Sequence, residues 1–247
     1  MSGWLAVAGL GPGDAALVTP EVTAALAEAT DVVGYAAYVA RVAGRSGLTL
    51  HPSDNRVEVE RATLALDLAA RGRRVVVVSS GDPGVFAMAS ALFEALEAGA
   101  PAWHDIDIRI LPGITAMLAA AARLGAPLGH DFCAINLSDN LKPRELIEHR
   151  LRMAARGDFA MAFYNPRSRA RPGQFARVLD ILREECGDDR LISFARDIGK
   201  PGEQLLTVTL SEARPEMADM RTVVILGNAR TRRVGRFVYT PRFAEAP

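Results

Sequence analysis

Three glycine-bearing stretches, "GLGPGD" (9–14), "SSGDPG" (79–84) and "LPGIT" (111–115), each follow a short apolar run. Two arginine-bearing stretches, "YNPRSRARP" (164–172) and "LGNARTRR" (226–233), follow two more. Glycines at such places let the backbone turn sharply and let another group approach closely. Phosphate binding is the first chemistry to test, and it fails. "GLGPGD" carries Asp14 where the dinucleotide fingerprint GxGxxG has its third glycine, and a carboxylate there repels a pyrophosphate. Pro12 removes a backbone N–H from the would-be anion nest, and the pattern GxxxxGK[ST] is absent. "SSGDPG" sets Asp82 between Gly81 and Pro83, either as an Asx-type turn or as an acidic surface for close approach. The second reading suits a cationic, hydroxylated ligand, and S-adenosylmethionine has both a positive charge and a ribose.

Other chemistries have little footing. His51, His104, His130 and His149 lack the paired spacing of zinc ligands, so no metal is expected. No GxSxG elbow is present. Arg167, Arg169 and Arg171 read either as forks for carboxylates or as a solvated basic loop, with Lys142 and Arg144 as further cationic candidates. Arg230, Arg232 and Arg233 form a comparable group.

These loops need elements to position them. Of 247 residues, 49% are hydrophobic and 23% charged, enough apolar side chain for a sizeable core. The 29 basic and 29 acidic residues cancel, which argues against general nucleic-acid binding. Cys133 and Cys186 stand far apart outside any CxxC and read as reduced, structural thiols, implying a cytoplasmic location. No signal peptide is evident. The most apolar stretch, "ITAMLAAAARLGAPL", is interrupted and shorter than the ~20 residues of a membrane span.

Along the chain, "WLAVAGL", "DVVGY", "RRVVVVSS" and "DIRIL" read as buried strands. "TPEVTAALAEA", with Thr19 as N-cap and Pro20 next, "RVEVERATLALDLAARG", "FAMASALFEALEAG" and "ITAMLAAAARLG" read as helices between and after them. After "LGAPLGHDF" come strand "FCAINLS", helix 143–156, strand "FAMAFYN", helix 171–186 and strand "LISFARD", then two β-rich runs, "QLLTVTLSE" and "RTVVILGNA". The expected fold class is α/β: an N-terminal lobe (1–125) with a mostly parallel sheet, a C-terminal lobe (126–247) with a mixed one, and a ligand cleft between them. Ligands sit at carboxyl ends of parallel strands, so the five loops are expected at equivalent ends, around one cleft.

Taken in order, Gly9 to Asp14, Gly81-Asp82-Pro83 and Pro112 to Thr115 resemble the motifs of the class III S-adenosylmethionine-dependent methyltransferases, the tetrapyrrole methylase family, over residues 5 to about 229. "GYAAYVARV" (34–42), "HPSDNRVEVERATLAL" (51–66), "LGHDFCAINLSD" (128–139) and "YNPRSRARP" are most similar to the branch that methylates carbon 17 of precorrin-3B and contracts the macrocycle. "SDNLKPR" (138–144) departs from the more apolar, aromatic-bearing stretch of that branch. The resemblance associates an end at Pro247, without a cysteine-bearing extension, with the oxygen-dependent route. It implies S-adenosylmethionine as donor, S-adenosylhomocysteine as product and a tetrapyrrole substrate with acetate and propionate arms. It implies a homodimer with transient hand-over to neighbouring enzymes, and neither nucleic acid nor membrane as partner. Around the donor it places Pro12, Ser80, Gly81, Asp82, Val85, Thr115, Ala116, Asn165, a segment near Ala195, Asn228 and Thr231. Ring contraction requires loss of a hydroxyl proton, for which Asp82, Tyr35 and Tyr38 are the candidates, Asp82 being read as a positioning group. Three alternatives stand beside this: a methylase acting on another precorrin or uroporphyrinogen carbon, a tetrapyrrole carrier with a degenerate donor site, and an NAD-linked dehydrogenase, which Asp14 disfavours.

Overall fold

Strand β1 (Trp4–Gly9) is buried at every position, so both of its faces must be covered. The computed structural model describes residues 3–42, 44, 47–55 and 57–243, and the chain divides into two compact units, Met1–Thr115 and Ala116–Pro247. In the first, β1 is followed by α1 (Pro20–Glu28), β2 (Asp31–Tyr35), α2 (Ala36–Val39), β3 (Thr49–Ser53), α3 (Glu58–Ala70), β4 (Arg74–Ser79), α4 (Met88–Ala98) and β5 (Asp107–Leu111). All pairings are parallel, in the order β3-β2-β4-β1-β5. Alternation along β1 sends Leu5 and Val7 to a cluster with α3 and α4, and Trp4, Ala6 and Ala8 to one with Val22 and Val39 on the other face. Each fully buried Val or Leu there contributes about 1.5–3 kcal/mol. Thr19 caps α1 as its sequence predicts, accepting from Val22 N at 3.3 Å. Strand β3, "TLHPS", is absent from the sequence reading because an edge strand with Pro52 and Ser53 has no apolar face to show.

The amino end of this sheet is held by Asp31, only 2% exposed, which accepts from Arg73 Nε at 2.7 Å, His51 Nε2 at 2.9 Å and Thr30 Oγ1 at 2.7 Å. Burial acts to raise its pKa, but the bonds from Arg73, His51 and Thr30 outweigh this and hold it below the ordinary 3.8. A depressed folded-state value contributes stability above the unfolded value and loses it as the pH falls through the folded one. Wild type should therefore lose midpoint temperature below about pH 4 more steeply than Asp31→Asn. Parallel acid-melting curves for the two proteins would count against this role.

The second unit runs α5 (Ala116–Leu124), β6 (Gly125–Ala126), β7 (Phe132–Asn136), α6 (Arg144–Arg156), β8 (Ala160–Tyr164), α7 (Gln174–Cys186), β9 (Leu191–Arg196), β10 (Gln204–Thr209), β11 (Thr222–Leu226), β12 (Arg232–Val234) and β13 (Phe237–Tyr239). Its main sheet, β10-β9-β11-β8-β7, is mixed: β7 and β8 are parallel, and the other neighbours antiparallel. Strands β12, β13 and β6 form a small sheet whose two- and three-residue strands are too short to carry a periodic signal. One core fills the unit, and the free thiols of Cys133 and Cys186 pack against it. The division falls before α5, whereas the sequence reading sets the lobe boundary at 125/126. Helix α5 buries Ala119, Ala120, Ala121 and Leu124, and contacts β6, β11 and β13 of the second unit. No helix among the described residues is long and apolar enough to cross a membrane.

Candidate active site

Parallel strands put the loops after β1, β2, β4 and β5 at one end of the first sheet. From β1 the chain passes to β2, beyond β4, and from β4 it passes to β5, beyond β1, so these neighbours form the topological switch point where ligands bind in open α/β sheets. Here the glycines hold one another. Gly11 and Gly81, both left-handed at φ +65° and +66°, exchange hydrogen bonds, Gly11 N to Gly81 O at 3.2 Å and Gly81 N to Gly11 O at 2.9 Å. A Cβ on Gly113 would lie 2.2 Å from the Gly81 carbonyl oxygen, and one on Gly9 would lie 2.7 Å from Gly113 Cα. Three loops distant in sequence thus meet backbone to backbone.

Asp82 locks the junction. Its carboxylate accepts from Gly84 N at 2.8 Å and from Gly113 N at 3.0 Å, an Asx turn on one oxygen and a tie to the next loop on the other. Both oxygens face backbone donors, which is the geometry of a positioning group. Asp14 is likewise committed, capping the turn Ala15–Leu17 by accepting from Ala16 N at 2.9 Å. Arg41 closes the loop from outside, donating to the carbonyls of Leu10 at 2.6 Å, Gly11 at 3.2 Å and Gly13 at 3.0 Å. Removing this clamp takes a charged donor from all three; the Gly11 carbonyl keeps the amide of Gly81, while those of Leu10 and Gly13 are left to water. Arg41→Ala should weaken S-adenosylhomocysteine binding roughly tenfold, since hydrogen bonds to charged groups contribute about 1.5–3 kcal/mol. Calorimetric titration reads this, and unchanged affinity would show that the loop keeps its shape without the clamp.

Tyr35 and Tyr38, at the end of β2 and in α2, meet edge to face with centroids 5.3 Å apart. Burial and the neighbouring Tyr35 push the Tyr38 phenol up, against lowering by Arg41, Arg61 and a hydrogen bond with Ser80. Tyr38 therefore stands as a neutral hydroxyl beside Ser80, holding its proton more tightly than a free phenol. Phe86, in the loop from β4 to α4, is 47% exposed at φ +54°, a conformation that strains a bulky side chain.

In the second unit the predicted residues separate. Ala116 opens α5, where Met117 N donates to Tyr164 Oη at 3.0 Å. Asn165, left-handed at φ +53°, follows β8 and donates from Nδ2 to Asn136 Oδ1 at 3.0 Å. Ala195 lies inside β9, buried and flanked by Leu205 and Val223. Asn228 and Thr231 follow β11, with Thr231 Oγ1 3.3 Å from Asn228 Oδ1 and 2.8 Å from Thr240 Oγ1. Because β11 is antiparallel to β8, with Leu226 opposite Met161 and Val224 opposite Phe163, its carboxyl end lies beside the amino end of β8. The loop 226–233 and the loop 164–172 therefore stand at opposite ends of this sheet, roughly 14 Å apart at about 3.4 Å per residue. The expectation that all five loops share equivalent strand ends is corrected here: it holds for parallel strands, and β11 reverses. Asp158 ties the reversed loop, accepting from Ala229 N at 2.9 Å and Arg190 Nη1 at 2.8 Å.

Of the cationic candidates, Arg171 is committed to Asp139 at 3.0 Å, joining the 164–172 loop to the one after β7, and Arg167 Nε donates to the Pro172 carbonyl at 3.2 Å. Arg169 is exposed and makes no hydrogen bond or ion pair among the described residues. Lys142 is half-buried, and burial together with Arg150 lowers its pKa; Arg144 is exposed at the start of α6.

The family model for tetrapyrrole (corrin/porphyrin) methylases matches residues 5–214. This chain belongs to that family. The methylase is 49% identical over 248 residues to a precorrin-3B C(17)-methyltransferase from Sinorhizobium sp, across 98% of each chain. A probable cobalt-factor III C(17)-methyltransferase from Salmonella typhimurium is 39% identical over 245 residues, 96% of this chain and 98% of its own. The crystal structure of the methyltransferase CobJ matches with a TM-score of 0.95 at 74% identity, covering 97% of this chain and 100% of that one. The methylase is an S-adenosylmethionine-dependent C-methyltransferase.

The first unit's loops suit such a donor. They present backbone groups, the Ser80 hydroxyl and the buried Thr115, and Arg41 turns its guanidinium onto their carbonyls. Among the described residues no group of three His, Cys, Asp or Glu side chains gathers as a metal site. Arg41 and Arg61 are the residues the sequence reading missed. Arg41 sits inside "GYAAYVARV" and Arg61 on α3 at a position turned to the core. An arginine among the apolar positions of an amphipathic helix is the signal that could have found Arg61.

Proposed function

We propose that this methylase transfers a methyl group from S-adenosylmethionine to carbon 17 of precorrin-3B and contracts the macrocycle to precorrin-4, in cobalamin biosynthesis. The observation that carries this reading is the end-to-end likeness to the Sinorhizobium C(17)-methyltransferase. The donor supplies an electrophilic methyl on a sulfonium, and the nucleophile is the electron-rich ring carbon. What the chain contributes is chiefly orientation, which can lower such a barrier by about 7–11 kcal/mol. Pro12, the 80–85 loop and Thr115 are offered as the donor's floor in the first unit. Arg167, Arg169, Lys142 and Arg144 are offered to carboxylate arms; Arg171 serves the loop itself through Asp139. Tyr38, a neutral phenol beside Ser80, is offered as a hydrogen-bond partner for the substrate hydroxyl during contraction, with Tyr35 packed edge-on against it. The working form is a homodimer in the cytoplasm, passing its labile product to the next enzyme.

The likeness to the Salmonella enzyme favours one second reading, the cobalt-bearing substrate in place of the metal-free one. Purified protein is incubated with S-adenosylmethionine and either precorrin-3B or cobalt-factor III under controlled oxygen, following mass and absorbance. One added methyl and a contracted-ring spectrum from precorrin-3B supports the first reading. Turnover of cobalt-factor III alone replaces it with the second.

A further inference from the structure

A buried guanidinium is costly unless an anion balances it. Arg61 is 5% exposed and is the one lysine or arginine among the buried described residues. Its Nε donates to Ser53 Oγ at 2.8 Å, its Nη2 to the Asp54 carbonyl at 2.7 Å, and its Nη1 to Met88 Sδ at 3.2 Å. Every acceptor is neutral, and no carboxylate among the described residues pairs with it. The carboxylate of Asp82, in the loop after β4, is held by two backbone amides.

The surroundings make the imbalance larger. A thioether is a weak acceptor, so Met88 occupies the place of a stronger one. Met88 also opens the eleven-residue helix α4, whose N-cap Ala87 offers no side-chain acceptor, so the positive helix end lies at the same point. The hydroxyl of Tyr38, with Ser80, and the guanidinium of Arg41 lie alongside. A methionine side chain has the freedom to swing aside. Cation, helix end and hydroxyls stand at the carboxyl end of the sheet, next to the donor loops.

We propose that Arg61 is a carboxylate-binding subsite, in which an acetate or propionate arm of the tetrapyrrole displaces the Met88 thioether. This rests on the reading of the substrate as a tetrapyrrole. A bound arm there fixes the macrocycle beside the hydroxyl of Tyr38. A second source of a carboxylate is the donor's methionine portion, and the test separates the two.

Arg61→Gln, Arg61→Lys and Ser53→Asp are compared with wild type in three measurements: KM for precorrin-3B, Kd for uroporphyrin by fluorescence quenching, and Kd for S-adenosylhomocysteine by calorimetry. Arg61→Gln should raise both tetrapyrrole constants at least tenfold and leave S-adenosylhomocysteine within twofold, and Arg61→Lys should recover part of the loss. Ser53→Asp supplies the missing anion from within, beside Nε, and should weaken tetrapyrrole binding as strongly while Arg61 stays in place. It keeps the test open if Arg61→Gln does not fold. Unchanged tetrapyrrole constants in folded Arg61→Gln or in Ser53→Asp overturn the subsite while wild-type turnover leaves the function standing. Loss of S-adenosylhomocysteine binding alone assigns the carboxylate to the donor and overturns it too. A wild type that neither binds uroporphyrin nor methylates precorrin-3B overturns both readings together.

Discussion

Gly113→Ala should lose methyl transfer by roughly a hundredfold, the order of loss a displacement of about 1 Å produces at a positioned site, although residue 113 carries no side chain to touch a ligand. The added Cβ would stand 2.2 Å from the Gly81 carbonyl and 2.8 Å from the Gly9 backbone. Neither neighbour is a flexible side-chain tip, so one of the three loops must move. Overpacking of this kind costs about 1–3 kcal/mol, occasionally more. The expected result is a fall in the urea midpoint, weaker S-adenosylhomocysteine binding and lost turnover in one variant. Gly173→Ala is the control, because a Cβ there meets nothing within 4 Å and should leave all three near wild type. Wild-type donor affinity in Gly113→Ala would sink the view that the glycines exist to let the loops touch.

Asp82→Asn should be nearly as damaging, and in a diagnostic way. The carboxylate accepts two backbone N–H groups, from Gly84 and Gly113, on separate oxygens. An asparagine amide keeps one acceptor and turns an NH2 toward the other donor, leaving a polar group unsatisfied at about 1–3 kcal/mol. Since Asp82 shapes the loops, donor binding and kcat/KM should fall together, each roughly tenfold or more by that energy. Normal donor binding with abolished turnover would instead make Asp82 the group that takes the proton. Steady-state kinetics beside calorimetry with S-adenosylhomocysteine distinguishes the two.

Much of this fold can be read along the chain, because its signals are local. Thr19-Pro20 announces α1, four consecutive valines announce β4, and Gly72 ends α3 in the left-handed conformation, φ +82°. The glycine loops are also legible: Asp14 and Pro12 exclude a phosphate grip before any coordinates are known. Edge strand β3 is not legible, since a half-exposed five-residue strand with a proline owes its pairing to β2 rather than to its own pattern.

The sequence by itself determined most of the alternation of strands and helices, a mostly parallel first sheet and the motif order that marks a tetrapyrrole methylase. Each of these rests on residues within a turn or a strand of one another. The tertiary structure alone decided which way β11 runs, and with it that Asn228 and Asn165 stand at opposite ends of their sheet. It also decided where two arginines end, Arg41 on the carbonyls of the first glycine loop and Arg61 on Ser53, Asp54 and Met88. A long, charged side chain carries no record in sequence of the group it reaches, because that partner is chosen by packing between segments tens of residues apart.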